Sequence, residues 1–492
     1  MGGILAYGAY VPYNRLERSE IGAALGGPGG RGTRAVASYD EDSTSMAVEA
    51  ARLALRSAPS GTRPEALYVS TTSPPYLDKT NATAVHAALG LDPGAVAADL
   101  NGSVRSAVAA LGLALDTAGP GGRPDGTARG PTLVVASDVR TGLAGGADER
   151  DGGDGAVAVL VGAGEPGLPV LAEPVAATSS TAEFLDRWRN PGQIASKVWE
   201  ERFGEHAYVP LAEAAFTHAL KDAGITADEV DHLLVTGTHS RAARRFLALS
   251  GVRREAVAPD LTPSIGNAGA AQPGLMLAAA LDRAAPGQIV AMVTLSDGAD
   301  VRLFRTTDAL TEYTSGRTAS TLAEQIESGR PGLSYTSFLT WRGQLVREPP
   351  RRPDPEAPAA PASFRSEAWK LGFTGSRCTA CGTRHLPPTR VCVHCRAVDH
   401  MVPERLADVP ATVATFTVDR LAFSLSPPVV AAVVDFDGGG RFRCELTDVD
   451  PEAVAIGDRV EMTFRRLFTA NGVHNYFWKA RPVRATQEEV QG

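Results

Sequence analysis

Four of the five cysteines fall into two pairs, Cys378-x2-Cys381 and Cys392-x2-Cys395, with ten residues between the pairs. Two such hairpins can point four thiolates at one tetrahedral Zn2+, and Gly382 allows the tight turn after the first pair. Four thiolates close the coordination sphere, so the spacing predicts a structural zinc ribbon and no catalysis at the metal. Redox iron held by the same sulfurs is the alternative. His394 lies inside the second knuckle, but Cys395 completes that pair, which leaves His394 to an outer-shell contact or to solvent. Lone Cys444, in "RFRCEL", reads as a core residue of a strand. The first 370 residues contain no cysteine, which excludes a disulfide framework there and, equally, thiolate catalysis.

Ahead of the zinc pattern the chain alternates apolar strands with amphipathic helices, the signature of an α/β architecture. Strands are expected at "EALYVSTT", "AVAADL", "PTLVVASDV" and "GAVAVLVG", with helices at Ser43–Ala54, Asn81–Leu89 and Ser103–Thr117. A second series follows: a helix at Pro210–Gly224, strand "HLLVTGTH", a helix from Arg241, a helix at Pro273–Ala285 and strand "QIVAMVTLS". The shared order suggests an internal duplication, with halves at 1–165 and 166–346. "REPPRRPDPEAPAAPAS" reads as a stiff proline-rich linker over 347–363. The zinc ribbon then occupies 364–402. Over 403–492, short strand-like runs near Val413, Val429–Phe436, Phe442–Leu446 and Val460–Phe464 predict a small all-β barrel.

No apolar run approaches the roughly 20 residues needed to cross a bilayer, and the N-terminus lacks a basic region followed by an apolar core. A cytoplasmic protein without membrane contact is expected. The formal charge of -8 gives no basic footprint for nucleic acid.

Three stretches carry candidate chemistry. "GTHSRAARRF" puts His239 just past an apolar strand, and "PSIGNAGAAQPGL" puts Asn267 in a glycine-rich turn before a helix. Loops at strand ends are where α/β folds build active sites. The third, "ADLNGSVRSAVAAL", is a polar turn entering a helix at Ser103. Taken singly, His239 also reads as a structural histidine, Asn267 as a turn residue and Ser103 as a helix N-cap.

In this order, with "YDEDSTSMAVEAARLAL", "GDGAVAVLVG" and "VTLSDGADVRLF", these stretches resemble the thiolase-like condensing enzymes, most closely 3-hydroxy-3-methylglutaryl-CoA synthases and type III ketoacyl synthases. The resemblance covers about residues 3 to 310. Residues 364 to 485, through "LPPTRVCVHC", "DFDGGGRF" and "YFWKARP", resemble the zinc ribbon plus OB-fold proteins that accompany such enzymes as acyl-CoA-binding partners. The resemblance implies a duplicated five-layer α/β fold followed by a zinc ribbon and an OB-fold barrel. It also implies a CoA or phosphopantetheine thioester as substrate and a homodimer, with a second condensing enzyme as a further partner.

His239 and Asn267 match the family's histidine and asparagine, whose N–H groups stabilise a developing oxyanion and handle protons. The nucleophile departs from the pattern, because the family's cysteine falls at Val104, beside Ser103. The family's general-base glutamate falls at Thr72. With both groups missing, condensation through an acyl-enzyme is not expected. Three readings stay open: acyl transfer or carbon–carbon bond formation or cleavage without an acyl-enzyme, with Tyr76 as a candidate acid or base; a catalytically dead thioester-binding subunit; and a serine-dependent acyltransferase using Ser103 and His239. Arg105 is a candidate for an anionic ligand. In the barrel, Lys370, Arg465, Arg466, Lys479 and Arg481 form a candidate strip for the CoA phosphates.

Overall fold

The structure, a computed structural model, describes residues 2–27, 29–119, 129–351, 353 and 355–483. Linker positions 352 and 354 and the barrel's expected end after 483 lie outside the described residues. The chain forms two compact units: Met1–Ala37, Glu49–Thr83 and Asp92–Tyr335 make the first; Ser38–Val48, Ala84–Leu91 and Thr336–Gly492 make the second.

The first unit is built on nine strands. Five form one half, in the order Val96–Asp99, Ala66–Ser70, Thr132–Asp138, Gly155–Gly162, Gly3–Tyr10. Four form the other: Ala172–Thr181, Gly298–Thr306, Ile289–Leu295, His232–Gly237. A single pair, Ile4 with Ala172, joins them. Strands such as "TLVVASD", "GAVAVLVG" and "IVAMVTL" are buried at every position because helices cover both faces. Helices Val104–Thr117 and Gln272–Leu281 place Val108, Leu111, Leu275 and Met276 in one core with Val134, Val159 and Met292, drawn from both halves. On the second half, helices Glu201–Ala223 and Ser240–Leu249 set Phe216 and Phe246 against Val293 and Val301. This is the mixed α/β architecture expected.

Two sequence expectations shift. The helix expected from Pro210 starts at Glu201, with Pro210 inside it; burial of Tyr208, Val209 and Ala212 on either side of the proline offsets its lost N–H bond and ring clash. Strand Ala172–Thr181 carries small and polar residues on a half-exposed ribbon, so no apolar period announces it. Its pairing with Gly298–Thr306 defines it.

In the second unit, Thr374–Cys378 pairs with Arg384–His385 and Met401–Arg405 to form the ribbon. Five longer strands follow: Ala411–Asp419, Val429–Phe436, Arg441–Leu446, Arg459–Ala470 and Val473–Pro482. Their pairings run in a ring that closes through short contacts, Ala411 with Val460 and Leu446 with Ala480. Phe464, Tyr476 and Trp478 are buried; Phe464 stacks on Tyr476 with ring centres 5.4 Å apart and meets Trp478 edge-on at 5.3 Å. Cys444 is buried among the barrel strands, and burial pushes its thiol up to about 12. No helix among the described residues is long and apolar enough to cross a membrane.

Candidate active site

Two of the predicted residues, Asn267 and His239, are held at the end of strand His232–Gly237. Asn267 Nδ2 donates to the carbonyl of Gly237 at 2.8 Å, and Asn267 Oδ1 accepts from the N–H of Gly269 at 2.9 Å. The amide is therefore oriented by the backbone on both sides, with a second Nδ2 proton left to give. His239, two residues past Gly237, caps helix Ser240–Leu249: its Nδ1 accepts the N–H of Ala242 at 3.0 Å. That bond places the proton of the neutral ring on Nε2. Nε2 is buried and has no hydrogen-bond partner among the described residues.

The imidazole has a neighbour that the sequence did not reveal. A Cβ on Gly204 would lie 2.4 Å from His239 Nε2 and 2.6 Å from Asp186 Oδ1, so glycine is required where the helix passes these two groups. Asp186 is buried, and burial raises its carboxyl above the usual range, while His239 and then Arg187 pull it back. The hydroxyl of Tyr208 is held well above its ordinary value, first by burial and then by the nearby Asp186 carboxylate. The carbonyl of Asp297 accepts Arg105 at 2.6 Å.

At the first turn of helix Val104–Thr117, Val104 is buried and offers no reactive atom. Ser103 stands at the N-cap with extended backbone (φ -138°, ψ 173°), and its N–H donates to Ser106 Oγ at 3.4 Å. No hydrogen bond joins Ser103 to His239 among the described residues. Arg105, expected to face an anionic ligand, is engaged internally: it pairs with Asp300 at 2.7 Å and donates to Thr181 Oγ1 at 2.7 Å. Tyr76 stays in its loop, its N–H donating to Asn81 Oδ1 and Lys79 lying over its ring.

Thr72, where the family resemblance implies a glutamate, is bound to a different carboxylate. Asp138, fully buried, accepts from Thr72 N at 2.6 Å, Thr72 Oγ1 at 2.8 Å, Thr71 Oγ1 at 2.8 Å and Ala270 N at 2.7 Å. It ties the Thr72 loop to the turn that carries Asn267. Asp138 closes a strand whose apolar run was legible; Asp186 sits in a loop with no such signal.

In the second unit the four sulfurs of Cys378, Cys381, Cys392 and Cys395 lie within 4.8 Å of one another. The N–H of Cys378 bonds to the carbonyl of Thr383 and Gly382 takes a left-handed backbone, so each hairpin aims its thiols inward. An all-sulfur set this tight suits zinc. His394 is exposed beside it.

The expected phosphate strip is overturned. Arg465 has no exposed surface and pairs with Glu41 at 2.7 Å and Asp448 at 2.6 Å. Lys479 pairs with Asp40 at 2.9 Å and Glu445 at 2.8 Å, and Arg481 with Glu461 at 2.7 Å. Arg466 donates to the carbonyl of Tyr39 and lies 3.7 Å from Asp42. Of the five, Lys370 alone has no carboxylate partner among the described residues, donating to Ser363 Oγ at 3.3 Å. Unpaired cations this deep would be costly, and the acidic run Asp40–Asp42 supplies their partners.

Comparison with known proteins fits this architecture. A family model described as the ChsH2 rubredoxin-like zinc ribbon domain matches residues 370–399, and one described as the ChsH2 C-terminal OB-fold domain matches 404–465. The solved structure of MvaS in complex with 3-hydroxy-3-methylglutaryl coenzyme A superposes with a TM-score of 0.58 at 20% identity, covering 73% of this chain and 94% of that one. The curacin-pathway HMG synthase in complex with apo donor-ACP gives 0.59 at 21%, covering 70% and 88%. At those identities the likeness is one of fold. The hydroxymethylglutaryl-CoA synthase of Aeropyrum pernix is 30% identical over 357 residues, 70% of this chain and 95% of that protein. The chain belongs to the hydroxymethylglutaryl-CoA synthase family, carrying a zinc ribbon and an OB-fold on the same polypeptide.

Proposed function

We propose that this protein acts on an acyl-CoA or acyl-carrier thioester without forming an acyl-enzyme, making or breaking a carbon–carbon bond next to the thioester or transferring the acyl group directly. The observation that carries this reading is the pairing of two oriented N–H donors, His239 Nε2 and Asn267 Nδ2, with a buried valine at the nucleophile's position. The mechanism then needs only an enolate. For a 3-hydroxyacyl thioester, a base removes the 3-hydroxyl proton and the C2–C3 bond breaks. Its electron pair moves to the thioester oxygen, where His239 and Asn267 donate to the negative charge. The carbonyl product leaves, and C2 takes up a proton. Asp186, raised by burial and beside His239, is a second candidate proton carrier at this end of the site.

The reading extends to a homodimer. Strand Val96–Asp99 lies at the sheet's edge with Val96 exposed, and Leu113 is exposed on helix Val104–Thr117; light scattering reads the mass directly. The catalytic claim is tested by incubating the zinc-replete chain with acyl-CoA and acyl-carrier substrates. Turnover with no mass added to the protein is expected. A stable ester on Ser103 establishes the serine acyltransferase instead, and tight binding without turnover establishes a binding subunit.

A further inference from the structure

In the second unit, the loop 420–428 between strands Ala411–Asp419 and Val429–Phe436 turns apolar side chains away from the barrel core. Leu421 is 98% exposed and Phe423 51%. The loop backbone is nonetheless pinned. Asp419 Oδ1 accepts the N–H of Leu421 at 2.8 Å and of Ala422 at 2.9 Å, Ser424 Oγ accepts the N–H of Ser426 at 3.0 Å, and Trp341 Nε1 donates to the carbonyl of Leu425 at 2.9 Å. Apolar side chains held in solvent by a fixed backbone mark a binding surface.

Leu421 and Phe423 border an open cavity of about 1110 Å³ made wholly by the second unit. Leu467 and Phe468 of strand Arg459–Ala470 form a second wall, and Leu345, Pro349 and Pro350 of the segment leading into the barrel form a third. Small-molecule sites usually enclose roughly 300–1,000 Å³ behind mostly apolar walls with a few polar groups. This cavity has room for a long chain.

Charge selects the kind of chain. Both carboxylates that line the cavity are committed: Asp419 to the loop N–H groups, and Glu445 to Lys479 at 2.8 Å. Arg347 and Arg351 also line it. They are exposed, and among the described residues neither has a carboxylate oxygen within ion-pair distance. A polyphosphate would need further open cations, but Lys479 is spent on Asp40 and Glu445, and Arg466 lies 3.7 Å from Asp42. Apolar walls with two uncommitted guanidiniums complement an apolar body that ends in one negative group, and planar guanidiniums suit a carboxylate.

We propose that this cavity binds an amphipathic monoanion with a long apolar body, the chemistry of a free long-chain fatty acid. The site uses neither His239 nor Asn267, so it stands independently of the thioester reading.

Fluorescence titration of the full-length, zinc-replete chain tests it with anilinonaphthalene sulfonate and its uncharged parent, phenylnaphthylamine. Saturable binding of both probes is expected, with displacement by hexadecanoate. The double variant Arg347→Gln/Arg351→Gln is expected to weaken the anionic probe about tenfold, the scale of a lost charge-assisted contact, and to leave the neutral one unchanged. Leu421→Asp, at a position too exposed to affect folding, is expected to weaken both. Absence of saturable binding, binding that Leu421→Asp leaves unmoved, or displacement by coenzyme A but not by hexadecanoate overturns the proposal. Equal effects of the double variant on the two probes overturn its anionic head.

Discussion

Arginines in the two units illustrate how little charge in a sequence says about availability. In the barrel, Arg465 and Lys479 stand in a basic-looking pattern, yet they are buried and joined to Asp40, Glu41, Asp448 and Glu445. In the first unit, Arg140 and Arg189 belong to no basic run, and among the described residues neither makes a direct ion pair, with Asp138 and Asp148 acting on Arg189 from farther off. The contrast comes from where the acids fall. The "DED" run supplies buried partners to the barrel strands, whereas the acids near Thr72 are satisfied by hydroxyls, amides and Arg187.

The comparison can be broken at several points. The largest effect is expected from chelating zinc: structural sites of this kind contribute on the order of 10 kcal/mol to folding, so chelator should unfold the ribbon, seen as loss of hydrogen-exchange protection over 374–405 with strand His232–Gly237 unaffected. Protection persisting in the metal-free chain would show that the ribbon folds on strand pairing alone.

Next is Asp40→Asn, which leaves Lys479 and Arg465 short of a buried partner and should cost about 3–5 kcal/mol in urea unfolding. Arg189→Gln, by contrast, should cost less than about 1 kcal/mol. Equal losses would erase the distinction between engaged and available arginines.

The Asp40 pair also sets a pH dependence. Burial opposes ionisation of Asp40, but Lys479 and Arg465 outweigh it and hold the carboxyl far below the usual carboxylate range. A depressed folded value means this stabilisation is complete above about pH 4, the unfolded value, and is lost as the pH falls toward the folded one. In Asp40→Asn the acid limb of the stability profile should flatten in that window, as read by melting temperature against pH.

His239→Ala should lower turnover by about 10²–10³-fold, the usual loss for one oxyanion donor, with little change in thioester affinity. The smallest effect is at Ser103. Removing an N-cap hydroxyl costs about 1 kcal/mol, so Ser103→Ala should lower stability slightly and leave turnover intact. A large fall in turnover would return Ser103 to the chemistry.

Much of this was legible beforehand for identifiable reasons. The cysteine spacing can serve only one geometry, and runs such as "IVAMVTL" can be satisfied only between two helical layers. The missing nucleophile needed no coordinates, since valine has no reactive atom. Asp186 escaped notice because its neighbour His239 lies in a distant segment and Asp186 itself belongs to no local motif. Tyr208 was missed with the first turns of its helix, since Pro210 marked the expected start.

By itself, then, the sequence determined which elements form, where four thiolates converge and which chemistry is absent, because those follow from local periodicity, spacing and residue type. Only tertiary structure decided which charges are neutralised and which buried carboxyl stands beside His239. Those depend on through-space distances between residues far apart in the chain, and in a low-dielectric interior a few ångströms separate a neutralised charge from an open one.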